Sequence, residues 1–279
     1  MQTMSEISDL RATVKRWRAA GDSIALVPTM GALHPGHMAL VHAARIQADH
    51  VIASIFVNPA QFGPNEDFAA YPRTEAQDAA LLLQGGCDLL WLPSVATMYP
   101  AGHATGVRVA GLDTMLCGAS RPGHFDGVGT VVAKLFNQVQ PDIALFGKKD
   151  WQQLAIIRRM ARDLDFAIDI AGVATVRDED GVALSSRNAY LSKAQRKAAA
   201  ALPAAMRAAI TAMADGTAVA VAIAKAKDAI IAAGFDSIDY CELRDGDSLA
   251  MAETTDDNAR LFVAARIGKT RLIDNMPMK

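Results

Sequence analysis

Ile24-Ala25-Leu26-Val27-Pro28-Thr29-Met30-Gly31-Ala32-Leu33-His34-Pro35-Gly36-His37 is the stretch whose reading decides the fold. A short apolar run ends in a tight turn. A helical run follows, and Val51-Ile52-Ala53-Ser54-Ile55-Phe56-Val57 then forms a second apolar run. Strand, turn, amphipathic helix and strand make a βαβ unit. Leu40, Val41, Ala44 and Ala48 share one helical face, while Arg45, Gln47 and Asp49 point elsewhere. Pro35 suits the first helical turn, where its missing N–H costs nothing. His34 and His37 bracket the helix start with Gly36 between them. Unpaired N–H groups and a partial charge of roughly +0.5 make such a tip attractive to anions. The pair therefore reads either as a polar helix cap or as a nucleotide phosphate site.

Outward from this unit, the same alternation continues. Ile7, Leu10, Val14 and Trp17 recur at helical spacing and Gly21 is placed to end that helix. The loop Asn58 to Asn65 is too rich in turn formers for regular structure. Thr74–Gln84 reads as a helix feeding a strand at Leu89–Leu92. Between Pro93 and Asp126 the one plausible strand is Val107–Ala110. Val128, Val131, Val132, Leu135 and Val139 mark a helix closed by Pro141. Ile143–Phe146 is a buried strand ending in Gly147-Lys148-Lys149-Asp150. Leu154, Ile157, Ala161 and Leu164 mark the next helix, and Ile168–Val173 the next strand. Strands alternating with helices predict a parallel sheet with right-handed crossovers. Ligands sit at the carboxyl ends of such strands, so His34, His37 and the 147–150 turn are expected to face one cleft.

Composition shifts after Val176, where a domain boundary is placed: 1–176 and 177–279. Ser192 with Gln195 forms a capping box opening an alanine-rich helix that Pro203 should break or kink. A second helix runs from Thr217 to Gly234. Ile238–Leu243 and Leu261–Ile267 read as strands of a small sheet. The length of 279 residues suits two domains, and 51% apolar residues supply a sizeable core. A net charge of −2 argues against a nucleic-acid surface or a charged tail. Three scattered cysteines, with no run of membrane-spanning or signal-peptide length, predict a soluble protein in a reducing cytoplasm.

The candidate sites have ordinary readings as well. Lys148-Lys149-Asp150 is a charged turn or a phosphate contact. Ser185-Ser186-Arg187 is a polar turn or a hydroxyl and guanidinium site for phosphate. Gln61 and Gln153 suit a surface, as do Arg121 and His124. No third ligand or Cys-x-x-Cys accompanies the histidines as zinc would require. The Walker pattern is absent, and helix packing explains Gly127-x-Gly129 better than a dinucleotide fingerprint does. No residue resembles a covalent nucleophile, so positioning and electrostatic stabilisation should dominate any catalysis.

Taken together, the segments resemble the pantothenate synthetase family. The matching blocks are 28–37, Ser54 to Phe62, Tyr71-Pro72-Arg73-Thr74, Ser120-Arg121-Pro122-Gly123-His124-Phe125, Phe146 to Gln153, Leu184 to Asn188 and Arg271-Leu272-Ile273-Asp274-Asn275. They fall in family order along nearly the whole chain. The resemblance implies an α/β fold with a Rossmann-like parallel-sheet N-terminal domain, a smaller α+β C-terminal lid domain, and a homodimer. It implies condensation of (R)-pantoate with β-alanine through a pantoyl adenylate, with ATP cleaved to AMP and pyrophosphate and Mg²⁺ required. Carried over by residue, Met30, Gly31, Ala32, Leu33, His34, Pro35, Gly36 and His37 would bind ATP. So would Gly147, Lys148, Lys149, Asp150, Val176, Leu184, Ser185, Ser186 and Arg187. His37, His34, Lys149 and Arg187 would act in catalysis. Gln61 and Gln153 would hold pantoate, Gln61 also meeting β-alanine. Asp78 matches a carboxylate that helps place Mg²⁺ in some members, although Gln77 and Leu81 depart from the pattern around it. Position 148, often acidic in relatives, is Lys here. A nucleotidyltransferase using the same phosphate turn, and a nucleotide-binding module without turnover, are the competing classes.

Overall fold

A computed structural model describes residues 1–64, 66 and 68–279. The loop residue Asn65 lies outside the described residues. The parallel sheet expected from the alternating pattern is present. It contains β1 (Gln2–Met4), β2 (Ile24–Thr29), β3 (His50–Ile55), β4 (Leu89–Trp91), β5 (Ile143–Gly147) and β6 (Asp169–Val173). Their order is β1-β4-β3-β2-β5-β6, all pairs parallel. The connections leaving β2 and β5 run to opposite sides of the sheet. A crevice therefore opens at the carboxyl ends of these two neighbours, where doubly wound sheets take their ligands.

The flanking helices follow from their apolar stripes. α1 (Ile7–Ala20) ends at Gly21, whose φ of 87° a side chain would resist. α2 (Pro35–Gln47) buries Leu40, Val41 and Ala44, and with α3 (Glu75–Gln84) covers one sheet face. The other face packs against α1, α6 (His124–Val139) and α7 (Trp151–Asp163). Between β4 and α6 lie short pieces, α4 (Val95–Met98), a 3₁₀ turn (Leu112–Thr114) and α5 (Cys117–Ser120). The strand expected at Val107–Ala110 is absent. Val107 N–H donates to Thr130 Oγ1 on α6 at 2.9 Å, so this segment is held by a side chain and not by a ladder. The loop after β3 contains a 3₁₀ turn, Pro59–Gln61, where no regular structure was expected.

Beyond Val176 the chain builds a second core. α8 (Lys193–Ala199) opens on the expected Ser192–Gln195 capping box. The break falls at Ala200, three residues before Pro203, and α9 (Ala201–Ala214) continues from it. α10 (Val219–Ala232) then leads into an antiparallel sheet of β7 (Ser237–Asp245), β8 (Ala259–Ile267) and β9 (Thr270–Pro277). No helix among the described residues is long and apolar enough to cross a membrane.

The Gly127-x-Gly129 pair serves packing. A Cβ on Gly127 would lie 2.4 Å from Ala60 O, and one on Gly129 would lie 3.2 Å from Val107 O. α6 thus presses directly on the backbone of the Pro59–Gln61 turn. Gly127→Ala should destabilise the protein by about 1–3 kcal/mol, the usual cost of overpacking. Urea denaturation reads this directly, and an unchanged midpoint would show that the turn yields freely.

Candidate active site

The turn from β2 into α2 is built on two successive left-handed residues, Gly31 (φ 83°) and Ala32 (φ 50°). Ala32 accepts a conformation that disfavours a Cβ. Asp78 holds it there. Its side chain, in a residue only 2% exposed, accepts from Ala32 N–H at 2.9 Å and Leu33 N–H at 2.8 Å, and from the Thr74 hydroxyl at 3.1 Å. Both carboxylate oxygens are thus engaged by the turn. Asp78 does not fit a metal ligand open to the site, and its effect passes through the backbone.

His34 caps α2. Its Nδ1 accepts from Gly36 N–H at 3.1 Å, while His37 Nδ1 accepts from His34 N–H at 3.3 Å. In a neutral imidazole one nitrogen accepts and the other donates, so both rings carry their proton on Nε2. The ring centroids are 4.1 Å apart. Burial lowers the pKa of His34, Lys149 lowers it further, and Asp150 opposes them. Burial, followed by the His34 ring, brings His37 down to about 3 despite the pull of Asp150. Gly36 leaves room for this arrangement, because a Cβ there would sit 2.8 Å from His34 Cε1. That same position is 3.8 Å from the Leu184 Cβ, which brings the 183–188 segment over the helix tip.

Immediately after β5, Lys148–Asp150 form a 3₁₀ turn whose charges bear on both histidines. Lys149 Nζ lies 3.7 Å from Asp150 Oδ1. Asn275 on β9 fixes this turn by donating to Lys148 O at 3.0 Å and Lys149 O at 2.7 Å. Val176 O accepts from Leu184 N–H at 3.0 Å, closing a hairpin whose Arg177 grips the buried Asp274 at 2.6 and 2.9 Å. Ser185 caps the following 3₁₀ turn, accepting from Arg187 N–H at 3.3 Å.

A cavity of about 1260 Å³ lies between the two cores, walled in part by Lys149, Asp150, Gln153, Ser185 and Arg187. The adjacent Gln152 and Gln153 both border this cavity, and Gln152, which is buried, also clamps Leu112 O, Met115 O and Cys117 N–H. Lys148 points away from the large cavity and lines a smaller one. His34, His37, Met30 and Gln61 do not form the wall of the large cavity. The helix tip joins it electrostatically through Lys149 and Asp150.

Gln61 donates to Met30 Sδ at 3.0 Å and accepts from Asn58 Nδ2 at 3.1 Å. Asn58, 1% exposed, is fully satisfied, since it also donates to Gly127 O and accepts from Ala60 N–H and Tyr99 OH. Arg121 and His124, left open by sequence, belong here. His124 Nδ1 contacts Gln61 O at 2.8 Å, and a carbonyl only accepts, so the proton is on Nδ1. Its Nε2 then accepts from Arg121, which is paired with Glu66 at 2.5 Å. Burial, then Arg121, pulls the His124 pKa to about 4. Sequence reading missed Asn58, Glu66 and Asn275 as supports. A polar Asn directly after a buried strand was the available signal.

Among the described residues no group of three His, Cys, Asp or Glu is placed to hold a metal. Mg²⁺ needs no protein cage when phosphates and water supply most of its ligands. Asp150, its side chain 46% exposed on the cavity wall, fits that lesser part.

Fold and site together define a class: a doubly wound α/β protein with a histidine-bearing helix tip and a basic turn at one carboxyl edge. The family model described as Pantoate-beta-alanine ligase matches residues 2–277. A pantothenate synthetase of Sphingopyxis alaskensis is 64% identical over 278 residues, covering 100% of each chain. One of Novosphingobium aromaticivorans is 58% identical, covering 99% of this chain and 98% of its own. The pantothenate synthetase structure from Thermus thermophilus superposes with a TM-score of 0.95 at 47% identity, covering 100% of this chain and 99% of that one. The Francisella tularensis pantoate-beta-alanine ligase, complexed with beta-gamma ATP and beta-alanine, gives 0.85 at 32% identity, covering 100% and 98%. The chain belongs to the pantoate–β-alanine ligase family and is a ligase.

The neutral histidines have a consequence for stability. His37 and His124 fold with pKa values of about 3 and about 4, below the ordinary 6.5. The unfolded chain binds more protons between those values, so their contribution is whole above pH 6.5 and is lost as pH falls. His124→Gln should therefore lose less urea stability between pH 7 and 4.5 than the wild type. Equal losses would mean that His124 is not held neutral.

Proposed function

We propose that the chain joins (R)-pantoate to β-alanine through a pantoyl adenylate, with the helix tip and the Lys149–Asp150 turn as the phosphate site. The observation that carries this reading is the fixed tautomer of His34 and His37. Each ring has its Nδ1 engaged by a backbone N–H, leaving an Nε2–H as its donor to phosphoryl oxygen.

In the first half-reaction a pantoate carboxylate oxygen bonds to the α-phosphorus while the bond to pyrophosphate breaks. Negative charge builds on the phosphoryl oxygens and the leaving group. The two Nε2–H groups, Lys149 and Arg187 stabilise it, aided by the α2 N-terminus formed by Met30 to His37. Asp150 is the residue here that would help hold Mg²⁺, which when bound would neutralise part of that charge. Gln153 orients pantoate from the cavity wall. Gln61 does so by exchanging its weak Met30 sulfur partner for a substrate oxygen. In the second half-reaction the amine nitrogen of β-alanine bonds to the acyl carbon, AMP departs and the amine loses a proton.

Gly147, Val176, Leu184 and Ser185–Arg187 complete the nucleotide site in this reading. Residues 177–279 form the lid domain over residues 1–176, excluding water from the adenylate. The Leu184 approach to Gly36 supports that arrangement. Three buried free cysteines fit the reducing cytoplasm in which we place the enzyme, as a homodimer.

The purified protein should release pyrophosphate only with ATP, Mg²⁺ and pantoate together, and yield AMP and pantothenate once β-alanine is added. Pyrophosphate release indifferent to pantoate would exclude the reading. In single-turnover experiments His37→Ala should slow adenylate formation by roughly 10²–10³-fold, as for other lost transition-state donors. A rate near wild type would remove His37 from the mechanism.

A further inference from the structure

The Lys148–Asp150 turn has two sides. Lys149 and Asp150 face the large cavity, Lys148 faces a second cavity of about 550 Å³, and Asn275 borders both. Lys148, Arg177, Arg207 and Arg260 all line this second space, together with the hydroxyl-bearing Thr175 and Thr211. No Asp or Glu among the described residues is part of its wall.

Four cations around one small cavity require counter-charge. Arg177 has it in Asp274. Among the described residues, Lys148, Arg207 and Arg260 have no carboxylate within ion-pair distance. Arg260 is the most constrained of the three. Its guanidinium lies 3.6 Å over the Trp151 ring and donates to Asn275 Oδ1 at 2.6 Å. Burial brings its pKa down to about 10, with only the field of Asp274 opposing. A guanidinium held out of water without an acid partner is costly, and an anion supplied from solution relieves that cost.

We propose that this cavity is a second anion site, separate from the large cavity, and that it takes a small phosphate-bearing ligand. Three cations without acid partners exceed what a single carboxylate would balance. Planar guanidinium forks match phosphate oxygens, Lys148 adds a point charge, and the two threonine hydroxyls donate to the oxygens that remain. The ligand would meet Lys148 directly and Asn275 beside it. Those are the two groups through which the Lys149-bearing turn is anchored. The inference does not depend on which reaction the large cavity catalyses.

Titration calorimetry of inorganic phosphate and of pyrophosphate into the full-length protein tests it. Arg187→Ala removes a cation of the large cavity and weakens any site there, so a site whose affinity survives this change unaltered lies elsewhere. Arg207 is exposed on α9, so its substitution should leave the fold in place. Arg207→Ala should weaken the surviving site roughly tenfold or more, the worth of one charged hydrogen bond, and Arg207→Glu should abolish it. Basal turnover of Arg207→Ala without added anion should stay within about twofold of wild type. Tighter binding of pyrophosphate would mark a polyphosphate ligand, and tighter binding of phosphate a monophosphate ester. If neither anion binds a site that survives Arg187→Ala, or if that site ignores both Arg207 substitutions, the proposal is overturned.

Discussion

The site depends on one buried carboxylate. Asp78 accepts two backbone N–H groups from a turn that is left-handed at both Gly31 and Ala32, and the Thr74 hydroxyl at the start of its own helix steadies it. Without that bracket, Ala32 would relax toward an ordinary backbone conformation and α2 would leave the sheet at another angle. The direction of α2 sets the direction of His34, which caps it. His34 in turn presents its backbone N–H to His37. Backbone geometry therefore fixes the tautomer of both rings, and no acidic side chain is needed to orient them. This economy suits the phosphate site we propose, where an orienting carboxylate would repel the ligand.

A second dependency runs from the far end of the chain. Asn275 holds the carbonyls of Lys148 and Lys149, and the neighbouring Asp274 is the buried partner of Arg177. Two consecutive residues of β9 thus secure both edges of the cavity, the basic turn after β5 and the hairpin that delivers Leu184 to Arg187. Truncating Arg177 would leave a carboxylate 3% exposed and uncompensated, a large penalty compared with that of a surface pair. The C-terminal sheet is accordingly part of the site's framework.

Periodicity revealed the elements that bury a full stripe. α1, α2, α6 and α7 and the strands β2, β3 and β5 were legible because apolar spacing decides them. β1 escaped because three residues at a sheet edge carry no period. β9 escaped because Arg271, Asp274 and Asn275 interrupt its alternation for the sake of the cavity. At Val107–Ala110 the pattern favoured a strand, but Thr130 on α6 offered Val107 a different partner. The chemistry was legible as residue types and hidden as directions. Lys148 and Lys149 are equivalent in sequence, and only the turn beneath them decides which one meets the large cavity. Asp78 was marked by the family resemblance alone, because nothing local reveals that its backbone partners lie some forty-five residues earlier.

Neutral histidines in the phosphate site we propose look paradoxical, because a charged ring would attract phosphate more strongly. Desolvation is the leading cause in both rings, and the charge of Lys149 adds to it. An anion bound at the helix tip reverses the electrostatic part, since its negative charge favours the imidazolium and offsets Lys149. Ring protonation and anion binding are then linked, each strengthening the other by the same factor. Neutral rings avoid placing further positive charge beside Lys149. In the reaction we propose, the Nε2–H hydrogen bonds would strengthen as negative charge builds on the departing pyrophosphate. Low pKa values and neutral donors belong together here: with both Nδ1 atoms taken by backbone N–H groups, the rings can serve an anion only through Nε2–H.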